Sequence, residues 1–159
     1  MALKVRRVVT GHDARGRAVV KIDEIATNIR EGRPGALSCN IWTTATSPAD
    51  NSGDADGGAA QVGMTMPGGS VLRMIEFKPG VTPRMHRTSS IDYVIVQKGE
   101  IDMQLDDGVE IHLAEGDVLV QRGTIHNWIN RGSQSCFVAV VLIDARPAEA
   151  GGKVLLPEG

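Results

Sequence analysis

Apolar residues along this chain recur mostly at every second position or in short β-branched runs, and each such stretch is bounded by Gly, Pro, Asp or Asn. This pattern is typical of short antiparallel strands, because side chains alternate between the faces of a sheet and turns favour the bounding residues. We therefore predict an all-β protein. The predicted strands are residues 4–9, 18–22, 38–44, 70–77, 84–88, 93–98, 100–105, 109–113, 117–121, 125–130 and 136–144.

Three stretches add detail to this pattern. A hairpin is predicted over residues 100–113, where Ile101, Met103 and Leu105 alternate with polar residues before a turn at 106–108. Residues 23–29 are compatible with a short helix or a turn. The sequence FVAVVLI, at 137–143, is apolar on both faces, so that strand is either central in a sandwich or covered by another subunit. A homodimer is therefore expected.

The length of 159 residues fits one domain, which we assign to residues 1–159. Its barrel core is predicted over about 68–144, with an N-terminal hairpin and strand extension at 1–46. Residues 47–60 are low in complexity and poor in apolar residues, which predicts a mobile surface loop, with a lid over a site as the alternative. The tail at 145–159 is predicted to be a loose extension, with a strand at Val154 to Leu156 added to a neighbour as the alternative.

Composition narrows the functional classes. Hydrophobic residues make up 42% and charged residues 23% of the chain, as in soluble globular proteins. The net charge is -2, and the arginines are interleaved with acidic residues, which argues against a nucleic-acid partner. The sequence has neither a secretory h-region nor an apolar run that could span a membrane, so we expect a cytoplasmic protein. Cys39 and Cys136 do not have metal-binding spacing and are expected to be buried, with a disulfide or a reactive thiol as the alternative.

Two segments carry the candidate chemistry. GVTPRMHRTSSIDYVIVQKGE, from Gly80, resembles the first conserved motif of the cupin superfamily, with Gly80, His86 and Gly99 at the motif positions. It departs from the motif at Thr88, which stands where a second histidine is usual, and at Asp92, which stands at the glutamate position.

The second segment, GDVLVQRGTIHNWIN, resembles the second cupin motif. Gly116, His126 and Asn130 are in place, while Arg122 stands at the proline position and the turn is one residue shorter. The combination of MHRTxSxDY and QRGTIHNW is similar to a branch of small single-domain cupins found in bacteria and in fungal biosynthetic clusters. The resemblance implies a double-stranded β-helix, or jelly-roll, barrel of two packed antiparallel sheets with a metal ion inside.

The predicted metal ligands are His86, Asp92 and His126. Alternation along the strands turns His86 inward with Arg84 and Thr88, and turns Asp92 inward on the following strand. His126 meets them if the geometry of the resembled family holds. Two imidazoles and one carboxylate suit a divalent metal ion, which could be Fe, Mn, Ni or Zn. Because Asp is shorter than Glu, Asp92 could bind directly, bind through water or orient a histidine. A hydrogen-bonded cluster without metal is the alternative.

The predicted catalytic residues are Asp92, as an acid or base if it does not bind metal, and Arg84, as a guanidinium that holds a carboxylate or enolate oxygen. The predicted substrate pocket consists of Arg84, Thr88 and Trp128, with packing in the core as the alternative for Trp128 and a role at the rim as the alternative for Arg84. His112 alternates with apolar residues and is expected to face solvent.

The resemblance implies several functional classes, because cupins include oxygenases, decarboxylases, isomerases, dehydratases and non-catalytic binders. We predict a metal-dependent enzyme acting on a small organic molecule with a carboxylate, a carbonyl or an aromatic ring, with dioxygenase-type oxidoreductase chemistry favoured. A redox-silent metal would favour decarboxylation, dehydration or isomerisation. A small-molecule sensor without turnover is the alternative from another class. The expected partners are the small-molecule substrate and a second copy of the chain.

Overall fold

The computed structural model describes residues 3–159 and is built from strands. Two three-residue 3-10 turns, Gly57–Ala59 and Asp106–Gly108, interrupt them. No helix within residues 3–159 is long and apolar enough to cross a membrane. The strands, in chain order, are β1 Arg6–His12, β2 Ala18–Ile25, β3 Ile29–Arg33, β4 Ala36–Thr44, β5 Ser70–Phe77, β6 Ser90–Lys98, β7 Glu100–Gln104, β8 Glu110–Ala114, β9 Val118–Arg122, β10 Asn127–Ile129, β11 Cys136–Asp144, β12 Ala148–Ala150 and β13 Lys153–Leu155.

Two antiparallel sheets form the barrel. One has six strands in the order β3-β4-β5-β11-β6-β9, and the other has three in the order β10-β7-β8. The main core lies between them and contains Val71, Val94 and Val138 from the larger sheet and Ile101 and Met103 from the smaller one. The alternating burial of these strands follows from the two-residue period of side chains. The predicted all-β architecture of two packed antiparallel sheets is confirmed.

Two local predictions are wrong. Residues 84–88 do not form a strand, because the segment has only single-residue bridges, from His86 to His126 on one side and from Arg87 to Glu158 on the other. Residues 23–29 form neither a helix nor a turn, because β2 stays paired with β1 as far as Ile25 and β3 begins at Ile29. The hairpin over residues 100–113 is confirmed, with β7 and β8 paired across the turn at Asp106–Gly108.

The outer face of the six-stranded sheet is covered on one half only. Leu3 and Ala26 pack on it against Cys39 of β4, with Phe137 of β11 and other side chains around them. This contact covers Phe137 on the outer face of β11. Over the other half, four apolar side chains that adjoin in the β6 and β9 register stay exposed: Tyr93, Ile95, Val118 and Val120. The homodimer, which would cover them, stays a prediction.

Two segments outside the two barrel sheets, the loop at 47–60 and the tail, form hydrogen bonds to other parts of the chain. Near the end of the loop at 47–60, both carboxylate oxygens of Asp56 accept from the buried Arg7 guanidinium, at 2.7 and 2.8 Å. In the tail, β12 and β13 form a hairpin in place of the loose extension predicted. Beyond it, the backbones of Glu158 and Arg87 exchange two hydrogen bonds. The tail therefore lies beside the segment that carries His86.

Candidate functional site

His86 and His126 meet where the segments of the two motifs pair. The His86 N–H donates to the His126 carbonyl at 2.9 Å, and the His126 N–H donates to the His86 carbonyl at 3.0 Å. Side chains directly opposite each other in an antiparallel pair project to the same side. The two buried imidazole rings accordingly lie with their centroids 4.2 Å apart.

The backbone also orients both rings. Nδ1 of His86 lies 3.1 Å from the Arg84 carbonyl oxygen, and Nδ1 of His126 lies 3.1 Å from the Thr124 carbonyl oxygen. A carbonyl can only accept, so Nδ1 carries the proton when these bonds form and Nε2 carries the lone pair. Each histidine then has the tautomer that a metal-binding imidazole needs.

Asp92 is held by a chain of hydroxyl groups. Thr88 Oγ1 and Ser90 Oγ lie 2.8 Å apart, and Ser90 Oγ donates to Asp92 Oδ1 at 2.6 Å. Asp92 and Ser90 are both buried. Asp92 therefore faces inward, but its first oxygen is already engaged by a protein donor.

Gln121 connects this carboxylate to the histidine pair. Its amide nitrogen donates to Asp92 Oδ2 at 3.2 Å and lies 2.8 Å from Nδ1 and 3.3 Å from Nε2 of His126. β6 and β9 place Gln121 directly opposite Asp92. An amide N–H can only donate, so with Nδ1 of His126 protonated towards Thr124 the Gln121 amide can donate only to Nε2, where it competes for the lone pair that a metal ion would need; donation to Nδ1 requires the other tautomer.

The residues present do not fit the three-ligand metal centre predicted from the sequence. Within residues 3–159, no three His, Cys, Asp or Glu side chains lie close enough together to hold a metal ion. His86 and His126 form a two-imidazole site, whereas Ser90 and Gln121 hold the third predicted ligand, Asp92. The prediction missed this because strand alternation gives the facing of a side chain and not its partners.

Burial sets the protonation of the cluster. It lowers the pKa of His86, and together with the neighbouring His86 ring it lowers the pKa of His126 to about 4. Burial raises the pKa of Asp92, against the opposing effects of the Ser90 hydroxyl and the Arg73 charge. At neutral pH both imidazoles are therefore uncharged, and Asp92 is a stronger base than an exposed aspartate.

The cluster faces a cavity of about 110 Å³ between the two sheets. Its walls are mostly apolar, formed by Ala36, Ile75, Phe77, Val94, Trp128, Val140 and Leu142. Three arginines, Arg33, Arg73 and Arg84, also line it, while Asp92 is its one carboxylate among the described residues. The cavity thus combines apolar walls with an excess of positive charge.

The structure places all three predicted pocket residues on this cavity. Trp128 stacks on Phe77 at 5.8 Å between ring centroids and meets His126 edge-on at 5.7 Å. Thr88 reaches Asp92 only through Ser90. The Arg84 guanidinium donates to the Gly159 carbonyl oxygen, so it is partly engaged by the tail. His112 is exposed, as predicted.

Two residues of this site, Gln121 and Arg73, were missed by sequence reasoning. Strand alternation could have found both. Gln121 shares the inward face of β9 with Leu119, and Arg73 shares the inward face of β5 with Val71 and Ile75. An arginine or glutamine in a short strand is more often exposed, so alternation alone does not identify either residue as part of an interior site.

Comparisons with known proteins agree with the barrel and its motifs. The family described as Cupin domain matches residues 73–142. Phomopsin biosynthesis cluster protein C' of Diaporthe leptostromiformis is 40% identical over 159 aligned positions, which cover 94% of this chain and 83% of the relative. Cupin-domain-containing oxidoreductase fogC of Aspergillus ruber is 37% identical over 157 positions, covering 94% and 77%.

A solved structure supports the fold. The polyketide cyclase RemF from Streptomyces resistomycificus superposes with a TM-score of 0.50 at 18% identity, covering 93% of this chain and 83% of its own. At that identity the likeness concerns the fold alone. The 37% identity to a cupin-domain-containing relative, over 77% of its length, together with the family match to residues 73–142, shows that this chain belongs to the cupin family.

Proposed function

We propose that this chain is a cupin-type oxidoreductase that acts on a small organic molecule bound in the barrel cavity. The observation that carries the proposal is the buried cluster of His86, His126, Gln121 and Asp92, which faces a cavity with mostly apolar walls. Relatives named cupin-domain-containing oxidoreductases, such as fogC of Aspergillus ruber, support the redox class. A few convergent polar groups in an apolar cavity are typical of a small-molecule site.

The protein groups of this cluster have distinct roles in the proposal. Asp92 accepts a proton from the bound molecule, because burial makes its carboxylate a stronger base. Gln121 and Ser90 fix the orientation of Asp92 through one hydrogen bond to each oxygen. The neutral His86 presents Nε2 to the cavity, as its Nδ1 is bound to the backbone. The apolar walls exclude water from these groups.

The test is a panel of small aromatic acids, phenols and quinones, incubated with the protein after loading with each candidate metal and followed by oxygen consumption and product mass. We expect conversion of at least one compound class, reduced about 100-fold or more in Asp92→Asn. His112→Asn is the control, because His112 is exposed and far from the cavity lining. Conversion without any redox change would favour a decarboxylase, isomerase or dehydratase, and unchanged activity in Asp92→Asn would contradict the role of Asp92.

Binding of a divalent metal, Fe, Mn, Ni or Zn, stays a prediction with its own support. Both motif histidines have Nδ1 bound to a carbonyl oxygen, which leaves Nε2 as the possible donor atom. Elemental analysis of protein purified without a metal-affinity tag should find about one equivalent of metal, lost in His86→Ala and in His126→Ala. His112→Ala should retain it. Metal-free parent protein would contradict the prediction and leave the cavity cluster to act alone.

A further inference from the structure

We propose that Arg73 and Arg33 form a carboxylate-binding site inside the cavity, so that the molecule which enters is a small organic acid bound as its anion. The inference deepens the proposed function and rests on it for the identity of the ligand as a substrate. It differs from the sequence prediction, which assigned this role to Arg84.

Arg73 carries a charge into the barrel interior. It lies on β5 opposite Val140 of β11 and faces inward, so that only 7% of its surface is exposed, and it lines the cavity. A guanidinium remains charged at any physiological pH, and burying it without an anion costs several kcal/mol. Such a position needs an explanation other than packing.

The protein supplies only part of what this guanidinium needs. Nη2 donates to the Gly63 carbonyl oxygen at 2.8 Å, while the buried Nε has no partner. None of the ion pairs formed within residues 3–159 includes Arg73. Asp92 lines the same cavity and its charge acts on Arg73, but the two side chains form no ion pair, and the hydrogen bonds found for Asp92 come from Ser90 and Gln121. The bond to Gly63 accounts for one nitrogen and leaves a donor for a ligand.

Arg33 approaches the same cavity from the end of β3. Its guanidinium carbon lies 6.0 Å from the centroid of Phe77, within the range of a cation–π contact. Nε and Nη2 are buried without a partner, and Arg33 likewise takes no part in an ion pair within the described residues. Two guanidinium groups that line one cavity and form no ion pair within the described residues suit a carboxylate, which accepts charge-assisted hydrogen bonds from a planar guanidinium.

The rest of the cavity restricts the ligand further. Phe77, Trp128 and Val140 provide an apolar wall, which suits a hydrocarbon or ring body and not a bare inorganic anion. A carboxylate held by the arginines would leave the body of the molecule beside His86 and Asp92. The arginines thus act in binding and orientation, and the reacting groups remain those of the proposed function.

The test uses benzoate and hexanoate as probes, with benzyl alcohol and hexanol as their neutral counterparts, and measures binding to the intact protein by isothermal titration calorimetry. We expect either carboxylate to bind at least about 10-fold more tightly than its alcohol, as for hydrogen bonds to charged groups. Arg73→Met and Arg33→Met should each remove most of that difference while leaving the binding of the alcohols unchanged. Arg122→Met is the matched control, because Arg122 is exposed and absent from the cavity wall.

The outcomes separate this inference from the proposed function. Failure of both carboxylates to bind the parent protein, equal binding of acids and alcohols, or full carboxylate binding in both arginine variants would each overturn the inference. Thermal melting of each variant checks folding, and Arg33→Met serves if Arg73→Met does not fold. Carboxylate binding without any redox turnover would support the site and remove only the oxidoreductase proposal. Turnover of neutral molecules alone would do the reverse.

Discussion

The barrel carries two groups made from the same residue types, one buried and one exposed. On the outside of the small sheet, His112 Nδ1 lies 2.8 Å from Asp102 Oδ1, and Arg131 donates to Asp102 Oδ2 at 2.6 Å. In the interior, His126 and Asp92 are linked through Gln121. Both groups join an imidazole to a carboxylate, yet the pKa values of the two groups shift in opposite directions.

The exposed group favours charge and the buried group disfavours it. The hydrogen bond between His112 and Asp102 raises the pKa of the histidine and lowers the pKa of the aspartate. In the interior, burial lowers the pKa of His126 to about 4 and raises the pKa of Asp92. For Asp92, desolvation outweighs the opposing effects of the Ser90 hydroxyl and the Arg73 charge. The surface pair thus favours its charged forms, while burial disfavours the charged forms of the interior groups.

Acidification should have the largest effect on this contrast. The pKa of His126 lies at about 4, below the ordinary 6.5, so the unfolded chain binds its proton first and stability falls as pH drops through this window. Between pH 7 and pH 5, His126 alone should cost metal-free protein about 2 kcal/mol, at ~1.4 kcal/mol per pKa unit. His86 acts in the same direction.

The measurement is urea unfolding in the presence of a chelator at pH 7 and pH 5. His126→Asn should flatten the pH dependence. His112→Asn should steepen it, because the raised pKa of His112 adds stability at low pH that is lost as pH rises. Equal slopes in the two variants would remove the distinction between the groups.

Gln121→Leu should have the next largest effect. It removes the donor to Asp92 Oδ2 and the amide beside His126, and leaves a buried oxygen unpaired, which costs about 1 to 2 kcal/mol. Two-dimensional NMR of the imidazole resonances should also show the His126 ring in a changed environment. Gln97→Leu is the control, since Gln97 is exposed on the outer side of β6. Equal destabilisation by the two variants would show that Gln121 does not hold the cluster.

The strands were predictable because their period is a local property of the sequence. Residues 70–77 and 136–144 coincide with β5 and β11, both flanked by neighbours on each side. Residues 84–88 were predicted wrongly, because their sequence alternates like that of a strand while their backbone makes only single bridges, to His126 and to Glu158. The packing of Leu3 and Ala26 near Phe137 of β11 was also not predictable, because alternation shows which face a side chain is on and not which residues lie against it.

The site likewise has parts that the sequence predicts and a part that it does not. Motif spacing predicted His86 and His126, which do meet, and alternation predicted that Asp92 faces inward. Whether Asp92 joins the histidines depends on the register between β6 and β9, which puts Gln121 opposite it. Register is a tertiary property, and a single sequence does not state it.

Ser90→Ala tests the other side of Asp92. Ser90 Oγ donates to Asp92 Oδ1 at 2.6 Å in a buried position, and that hydrogen bond holds the pKa of Asp92 down against burial. Its loss should cost about 1 kcal/mol at pH 7 and raise the pKa of Asp92 further. Ser89→Ala is the matched control, because the neighbouring serine makes no side-chain bond to Asp92. The carboxyl resonance of Asp92, followed by NMR titration, checks the pKa, and an unchanged value would contradict the role given to Ser90.

Asp102→Asn should have the smallest effect on stability, since surface ion pairs contribute little and are screened by salt. Its expected result is local: the pKa of His112 falls towards its ordinary value, because the hydrogen bond that His112 donates to Asp102 is the largest cause of its rise. An NMR titration of His112 at low and high salt measures this, and in the parent protein added salt should move the pKa in the same direction. The imidazoles of His86 and His126 should not respond to either change, since desolvation and not a surface carboxylate sets their pKa values. A shift of the interior histidines on substitution of Asp102 would mean that the two groups are coupled across the barrel wall.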